Sequence, residues 1–316
     1  MRNEFEFIRN IKEQYGLNRV GDDCAVLPKD SKTDLLLTTD MLVEDIDFRL
    51  DWMRPESLGY KALAVSLSDI AAMGGTPKWA LLSIGIPTTV WKGRFVDKFY
   101  EGWFALARQH RVELIGGDVS RTPDKIMIDS VVAGEVRRGK AVLRSGARPG
   151  DSIFVSGSLG GAAGGLALLE SGKGDQQSGR KQKELIARQL RPTPRLDVGK
   201  YLTRNNHATS MIDISDGLGA DLHHLCDASS VGARIEIERL PMDPNLNAAT
   251  KERNLQFALS GGEDFELLFT SPRKKLFSSQ LPPITRIGEV TSNAGIVELV
   301  GEGWERALPR VGYRHF

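Results

Sequence analysis

Cysteine is almost absent from this chain: Cys24 and Cys226 are the only two in 316 residues. Two cysteines build neither a disulfide framework nor a zinc-ribbon quartet, so a reducing compartment is expected. No apolar stretch approaches the ~18 residues of a membrane span. The first residues carry acids at Glu4 and Glu6 and lack an apolar signal core, so no secretory leader is read. An excess of either charge is also missing: 42 basic residues stand against 41 acidic ones, a formal net charge of +1. That balance removes the electrostatic case for nucleic acid or an anionic membrane as partner. A cytoplasmic protein is expected. Neither G-x-x-x-x-G-K-[ST] nor the H-R-D and D-F-G pair occurs, which excludes P-loop and protein-kinase signatures. The five histidines form no zinc spacing, and His223-His224 read as part of a surface helix.

What the chain does have is a series of short carboxylate motifs, most of them following apolar runs and set among glycine, serine or threonine. They are GDDCA (Asp22, Asp23), TTDM (Asp40), SLSDIAAMGG (Asp69), IGGDVSR (Asp118), IDISDG (Asp213, Asp216) and SGGEDFE (Glu263, Asp264). A solvated surface scatters acids among lysines, whereas most of these have no basic neighbour. Carboxylates on tight turns at strand ends suit a hard divalent cation. Magnesium takes oxygen ligands and usually completes its shell with substrate phosphates. A magnesium–nucleotide site assembled from most of the chain is the first reading.

With 41% hydrophobic and 26% charged residues, the composition is globular and suits two domains or one large one. Short β-like runs alternate with longer helical patterns, which predicts an α/β or α+β architecture. An opening helix (Phe5, Ile8, Ile11, Tyr15) precedes GDDCA. Strands are predicted over 34–39, ending at Asp40; 79–86; 112–115, ending in Gly116-Gly117-Asp118; and 126–136. Helices are predicted from about Glu56 to Met73, stopped by Gly74-Gly75, and from about Val90 to Gln109. The basic, turn-rich segment 137–151 suits an interdomain crossing, giving domains 1–145 and 146–316. The second half reads as a strand–helix series from Ser152, with strands over 209–214, 233–238, 265–270 and 284–290. The polar insert Gly172–Lys183 reads as a surface loop.

Asp69 is the most telling acid. Leu58, Ala62, Val65, Ala72 and Met73 share its helix face, and the next face carries Tyr60, Leu63, Leu67 and Ile70. A helix apolar nearly all round is buried, and an unpaired carboxylate in it costs several kcal/mol or protonates. Metal coordination removes that cost; an acid near the helix end facing a solvent gap is the alternative. Asp216-Gly217 and Asp22-Asp23 also mark turns by themselves. Ser215 can cap a helix beginning near Leu218, and such a helix N-terminus is an anion site. Asp213, two residues earlier, points the same way if the strand persists. Gly116-Gly117-Asp118 is either a hairpin bend or a close backbone approach to phosphate with Asp118 on the metal. Glu263 sits on the glycine turn, while Asp264 reads as a cap or a pairing partner. The run Val155–Leu169 fails G-x-G-x-x-G and reads as strand–helix packing or a phosphate contact. Cys24 reads as a small core filler.

In this order, GDDCA, TTDM, YKALAVSLSDIAAMG, LIGGDVSR, VLRSGARPGD, IDISDGL and LSGGEDFELLF resemble the thiamine-monophosphate kinase family over essentially the whole chain. That family is similar to aminoimidazole-ribotide synthetase, selenophosphate synthetase and HypE proteins. The resemblance implies a two-domain PurM-like fold: an N-terminal ATP/magnesium-binding domain whose strands form a barrel across a homodimer interface, and a C-terminal α/β domain completing the site. It implies several Mg2+ ions held by Asp23, Asp40, Asp69, Asp118, Asp213 and Asp216, with Thr38 and Thr39 contributing oxygens. Gly117, Asp118, Arg144 and Ser215 match ATP contacts. Glu263 matches a substrate contact, as does Asp47, where many relatives carry histidine. In the tail, Arg310 and Tyr313 are the candidates for substrate contact.

The implied reaction is ATP plus thiamine monophosphate giving thiamine diphosphate and ADP, by direct in-line transfer with no protein base or nucleophile. Another ATP-dependent member of the superfamily, aminoimidazole-ribotide synthetase-like, and a non-catalytic nucleotide-binding protein are the alternatives. Selenophosphate synthetase would want a reactive residue before Cys24, and a HypE-type protein a cysteine-bearing tail; neither is present.

Overall fold

Each half of the chain contributes one β-sheet, and a single buried helix lies against both halves. The computed structural model describes residues 4–172, 179–246, 250–276 and 278–313. The first half runs α1 (Glu4–Tyr15), β1 (Ala25–Pro28), β2 (Thr33–Val43), α2 (Pro55–Ala72), β3 (Thr76–Pro87), α3 (Thr88–Trp91), α4 (Phe95–His110), β4 (Glu113–Thr122) and β5 (Met127–Arg137). The second runs β6 (Ser152–Ser156), α5 (Gly161–Glu170), α6 (Arg180–Leu190), α7 (Leu196–Arg204), β7 (Ser210–Asp213), α8 (Leu218–Ser229) and β8 (Gly232–Glu236). A 3-10 turn (Ile237–Arg239), α9 (Lys251–Ser260), β9 (Leu267–Ser271), β10 (Ile284–Thr291), β11 (Val297–Gly301) and β12 (Trp304–Ala307) complete it.

The first sheet has the order β1-β2-β5-β3-β4 and the second β12-β11-β8-β10-β6-β9-β7. Pairing is antiparallel except for β3 with β4 and β8 with β11. Among the described residues the first sheet is open, with β1 and β4 at its edges.

Helix α2 is the spine. Pro55 pre-sets its first turn, and its apolar residues leave no solvent face, so Leu58, Leu63, Leu67 and Ile70 are fully buried. It packs on β2 and β5, on α4 through the buried Phe99 and Trp103, and on α7 and β7. Alternation in the second sheet sends Phe154 and Phe269, stacked at 5.3 Å, into this shared core. Ile153, Val155 and Leu268 point the other way, into a second core with α8.

Several expectations need correction. Strand β2 does not end at Asp40 but continues to Val43, because Asp40 pairs with Ser130 inside the ladder. Strand β4 likewise runs through Gly116-Gly117-Asp118 to Thr122, paired along β3. Those acids therefore sit within strands rather than on turns. The helix expected over 90–109 is divided into α3 and α4 around Gly93. Short strands β1, β11 and β12 were not anticipated, having too few residues to show a period. His223 is buried rather than on the surface, its Nε2 2.8 Å from the Leu308 carbonyl. In the polar insert, 173–178 lie outside the described residues, and α6 already begins at Arg180. Among the described residues no helix is long and apolar enough to cross a membrane.

Candidate active site

Three carboxylates from distant parts of the chain meet where α2 passes between the two sheets. Asp23 precedes β1, Asp69 lies in the last turn of α2, and Asp213 ends β7; one oxygen of each lies within 4.8 Å of the others. Nothing local favours this. Asp69 stands at the negative end of a helix whose last turn has no basic residue, where a carboxylate is disfavoured unless a cation is supplied. Asp23 and Asp213 are buried.

The electrostatics follow from that crowding. Burial, then Asp40, Asp213 and Asp23, holds the Asp69 carboxyl well above the usual range. Asp213 is pushed up to about 8 by burial and by Asp23, although Ser68 and Arg144 pull against this. Asp40 is pushed up to about 6, mainly by burial and then by Asp129 and Asp23. Cys24, in the same field, is raised by burial and by all four acids, which keeps it a thiol in the core.

Hydrogen bonds fix most of the donor oxygens. Thr38 donates to Asp69 Oδ2, and Ser68 to Asp213 Oδ2 at 2.5 Å. Arg144 places Nη2 at 2.5 Å and Nε at 3.1 Å from Asp23 Oδ1, while its backbone N donates to Asp22 at 2.8 Å. Asp23 Oδ2 and Asp40 Oδ2 are buried with no hydrogen-bond partner among the described residues. Two orphaned oxygens in an all-oxygen, acid-rich donor set fit a hard divalent cation such as magnesium.

The other candidates are distributed around this centre. Thr38 and Asp40 face α2, but Thr39 points to the opposite side of the sheet, where it donates to Asp129 at 2.6 Å. Asp118 is exposed on the edge strand and is not among the three converging acids. It pairs with Ser83, which pairs with Asp129, so Asp118 shares the Thr39 side. Gly117 is needed for close approach: a Cβ there would lie 1.9 Å from the Leu82 carbonyl oxygen.

Ser215 does not cap α8. Gly217 is the cap residue, and the buried Asp221 accepts from the Asp216 and Gly217 backbone N–H groups at 3.2 and 3.1 Å. The glycine turn runs alongside, with Glu263 N donating to the Ser215 carbonyl at 2.7 Å. The tail crosses the same loop: Tyr313 N donates to the Asp216 carbonyl at 3.0 Å, and Arg310 forks Asp227 on α8 at 2.6 and 2.8 Å. The last tail residues, 314–316, lie outside the described residues. Asp47 closes the turn after β2 by accepting from Val43 N at 2.8 Å. Just beyond it opens a cavity of about 780 Å³ lined by Arg49, Trp52, Arg54, Phe95, Ile186 and Leu190; none of the clustered acids lines it.

The glycine-rich run is settled as packing. Asp264 accepts from Gly160 N at 2.5 Å and Ala162 N at 3.1 Å, so the start of α5 already has its anion. Sequence reading missed Asp129, Asp221, Gln189 and Lys61. Lys61 carried the same signal as Asp69, a charge inside an apolar helix; the others carried none.

The family profile described as AIR synthase related protein, N-terminal domain, matches residues 21–136, and the corresponding C-terminal domain profile matches 148–300. Thiamine-monophosphate kinase of Escherichia coli (strain K12) is 39% identical over 319 residues, 99% of this chain and 95% of the relative. The Bacillus subtilis (strain 168) enzyme of that name is 38% identical over 307 residues, 94% and 93% of the two chains. A solved structure described as AaThiL complexed with AMPPCP and TMP superposes with a TM-score of 0.88 at 37% identity, covering 99% of this chain and 97% of its own. With its mixed α/β, two-domain PurM-like fold, the chain belongs to the thiamine-monophosphate kinase family.

Proposed function

We propose that this chain transfers the γ-phosphate of ATP to thiamine monophosphate in a magnesium-dependent reaction, giving thiamine diphosphate and ADP. The observation that carries the magnesium part is the convergence of Asp23, Asp69 and Asp213, with unsatisfied buried oxygens on Asp23 and Asp40. These acids form the centre of the proposed metal set. Thr38, Thr39, Asp118 and Asp216 are its outer members. Magnesium, when bound, would neutralise phosphate charge and bring acceptor oxygen and γ-phosphorus into line.

The chain's own groups bind and orient. Arg144, Gly117, Asp118 and Ser215 are assigned to ATP, and Asp47, Glu263, Arg310 and Tyr313 to thiamine monophosphate. The acceptor is a phosphomonoester whose second pKa lies near ~6, so it is largely ionised at neutral pH. No base is needed to activate it. Transfer is direct, and a trapped phosphoaspartate on the native enzyme would refute this.

The same proposal divides the chain at 145/146, with nucleotide binding and dimerisation in the first domain. A homodimer is favoured by the side of the first sheet turned away from α2, where Leu37, Met41, Leu81 and Met127 are exposed. Closing those strands against a second copy would make the barrel, and a monomer at sedimentation equilibrium would remove this part. Two buried thiols suit a cytoplasmic setting.

The deciding experiment is a coupled ADP assay with thiamine monophosphate, thiamine and aminoimidazole-ribotide precursors offered in parallel. Only the monophosphate should respond. Turnover with an aminoimidazole precursor instead would move the chain to the neighbouring activity.

A further inference from the structure

Helix α2 carries a second buried charge, two turns before the acid centre. Lys61 is fully buried and lies seven residues, ~10 Å along the axis, before Ser68 on the same face. Ser68 reaches Asp213; Lys61 reaches the glycine turn, its Nζ 2.5 Å from Glu263 Oε1. That ion pair is its contact, for Nζ has no partner in hydrogen-bonding geometry among the described residues. The other oxygen, Glu263 Oε2, accepts from Gln189 Nε2 on α6, and Gln189 is itself buried.

Glu263 is constrained in its backbone as well. Its φ is +68°, a left-handed conformation that a residue with a Cβ adopts only when its surroundings impose it. Yet its side chain remains 28% exposed, while Lys61 is sealed behind it. For stability alone, a lysine in this core is a poor choice, since apolar side chains of similar volume usually serve as well as a buried ion pair. What the lysine provides is an acceptor held in one orientation. An ionised carboxylate has about four lone-pair sites. Gln189 occupies one of them on Oε2 and the Lys61 charge sits against Oε1, leaving the others for donors from outside.

We propose that Lys61 is the positioning residue for Glu263, fixing its carboxylate in the orientation that meets thiamine monophosphate. This rests on the reading of Glu263 as a substrate contact. It adds a residue outside the assigned ATP and metal sets, which acts through Glu263.

The test is steady-state kinetics of the full-length enzyme, with both substrates varied, on Lys61→Met, Lys61→Gln, Glu263→Gln and the Lys61→Met/Glu263→Gln double variant. Lys61→Met should raise KM for thiamine monophosphate about 10- to 100-fold, the range of a charge-assisted hydrogen bond, and leave KM for ATP within about twofold. Its kcat should fall less than its KM rises. The double variant should be no worse than the worse single one, because both changes act through one carboxylate.

Equal effects on both KM values, a change in kcat alone, or single effects that multiply in the double variant would overturn the proposal. A rise in KM with Glu263→Gln but none with Lys61→Met would reject Lys61 alone. An unchanged KM with Glu263→Gln would instead reject Glu263 as a substrate contact. Should Lys61→Met fail to fold by circular dichroism, Lys61→Gln decides. It keeps a donor without the charge, so about a tenfold rise in KM for thiamine monophosphate supports the proposal and a wild-type KM overturns it.

Discussion

Two groups of acids, one buried to half-buried and the other fully buried, are built on opposite principles. In the second, Asp243, Asp264 and Glu266 face Arg188 and Arg195, and every acid has a cation within 4 Å. Glu266, with no exposed surface, also accepts from Ser156 at 2.7 Å. In the first, Asp23, Asp40, Asp69 and Asp213 are crowded together, and among the described residues their ion pairs come from Arg144 alone. Buried carboxylates are tolerated when paired and fully hydrogen-bonded. One group meets that condition with the chain's own residues; the other leaves it to be met by something that binds. Burial of an acid is therefore no sign of function by itself. The shortage of positive charge around it is.

Neutralising one acid in each group should separate the two roles. Asp213→Asn should cost the most, lowering kcat by about 10³-fold, since several kcal/mol of charge neutralisation in the transition state goes with the ligand. Asp118→Asn and Asp216→Asn should lose about 10²-fold in the same coupled assay, with circular dichroism unchanged in all three. In calorimetry without metal, Asp213→Asn should melt no lower than wild type, because a carboxyl whose ionised form burial and Asp23 disfavour is gone. Wild-type turnover in Asp213→Asn would dissolve the distinction. Glu266→Ala should do the reverse. Leaving Arg195 without its carboxylate partner, while Arg188 keeps Asp243 and Asp264, should destabilise by about 3–5 kcal/mol, read as a lower Tm, with kcat per folded molecule nearly unchanged. A kcat loss in Glu266→Ala with an unchanged Tm would place that group in the chemistry instead.

The sequence made some of this contrast legible and hid the rest for definable reasons. Asp69 stood out because an acid surrounded by Leu58, Val65, Leu67 and Ile70 on one helix must be buried, and burial has a known cost. Helix α2 was equally legible, with Pro55 at its start and Gly74 after its end. The strands were harder. Because side chains alternate, Thr38 and Thr39 cannot both face Asp69, and only the Thr38 hydroxyl does. On β4 a bulge breaks the count: Ala80 pairs with Leu114 but Leu81 with Gly116, so Ile115 is an extra residue. One such insertion decides which side of the sheet Asp118 takes, and no local motif announces it. The Arg188–Glu266 group was invisible because its members meet only through the packing of α5, α6 and the glycine turn. Lys61 was visible and overlooked, since a lone lysine in a helix ordinarily extends to water.

Proton linkage gives the smallest effect but compares the two groups in the unaltered protein. Burial lifts Asp40 to about 6 and Asp213 to about 8, against an unfolded value of 3.8. The folded protein then holds more protons than the unfolded chain between about pH 4 and 8. Stability from these groups is present in full below the unfolded value and is lost as pH rises through the folded ones. In EDTA, Tm should therefore decline from pH 5 to pH 8. Asp264, also raised to about 6 by burial, contributes to the lower part of that decline, so Asp213→Asn should flatten chiefly the upper part. A divalent ligand reverses the sign for the first group alone, because it binds the ionised form and displaces the protons. The rise in Tm on adding magnesium should then grow from pH 5 to pH 8 in wild type, and grow less in Asp213→Asn. A magnesium shift independent of pH would mean that the ion binds where no proton has to leave, and so away from the buried acids.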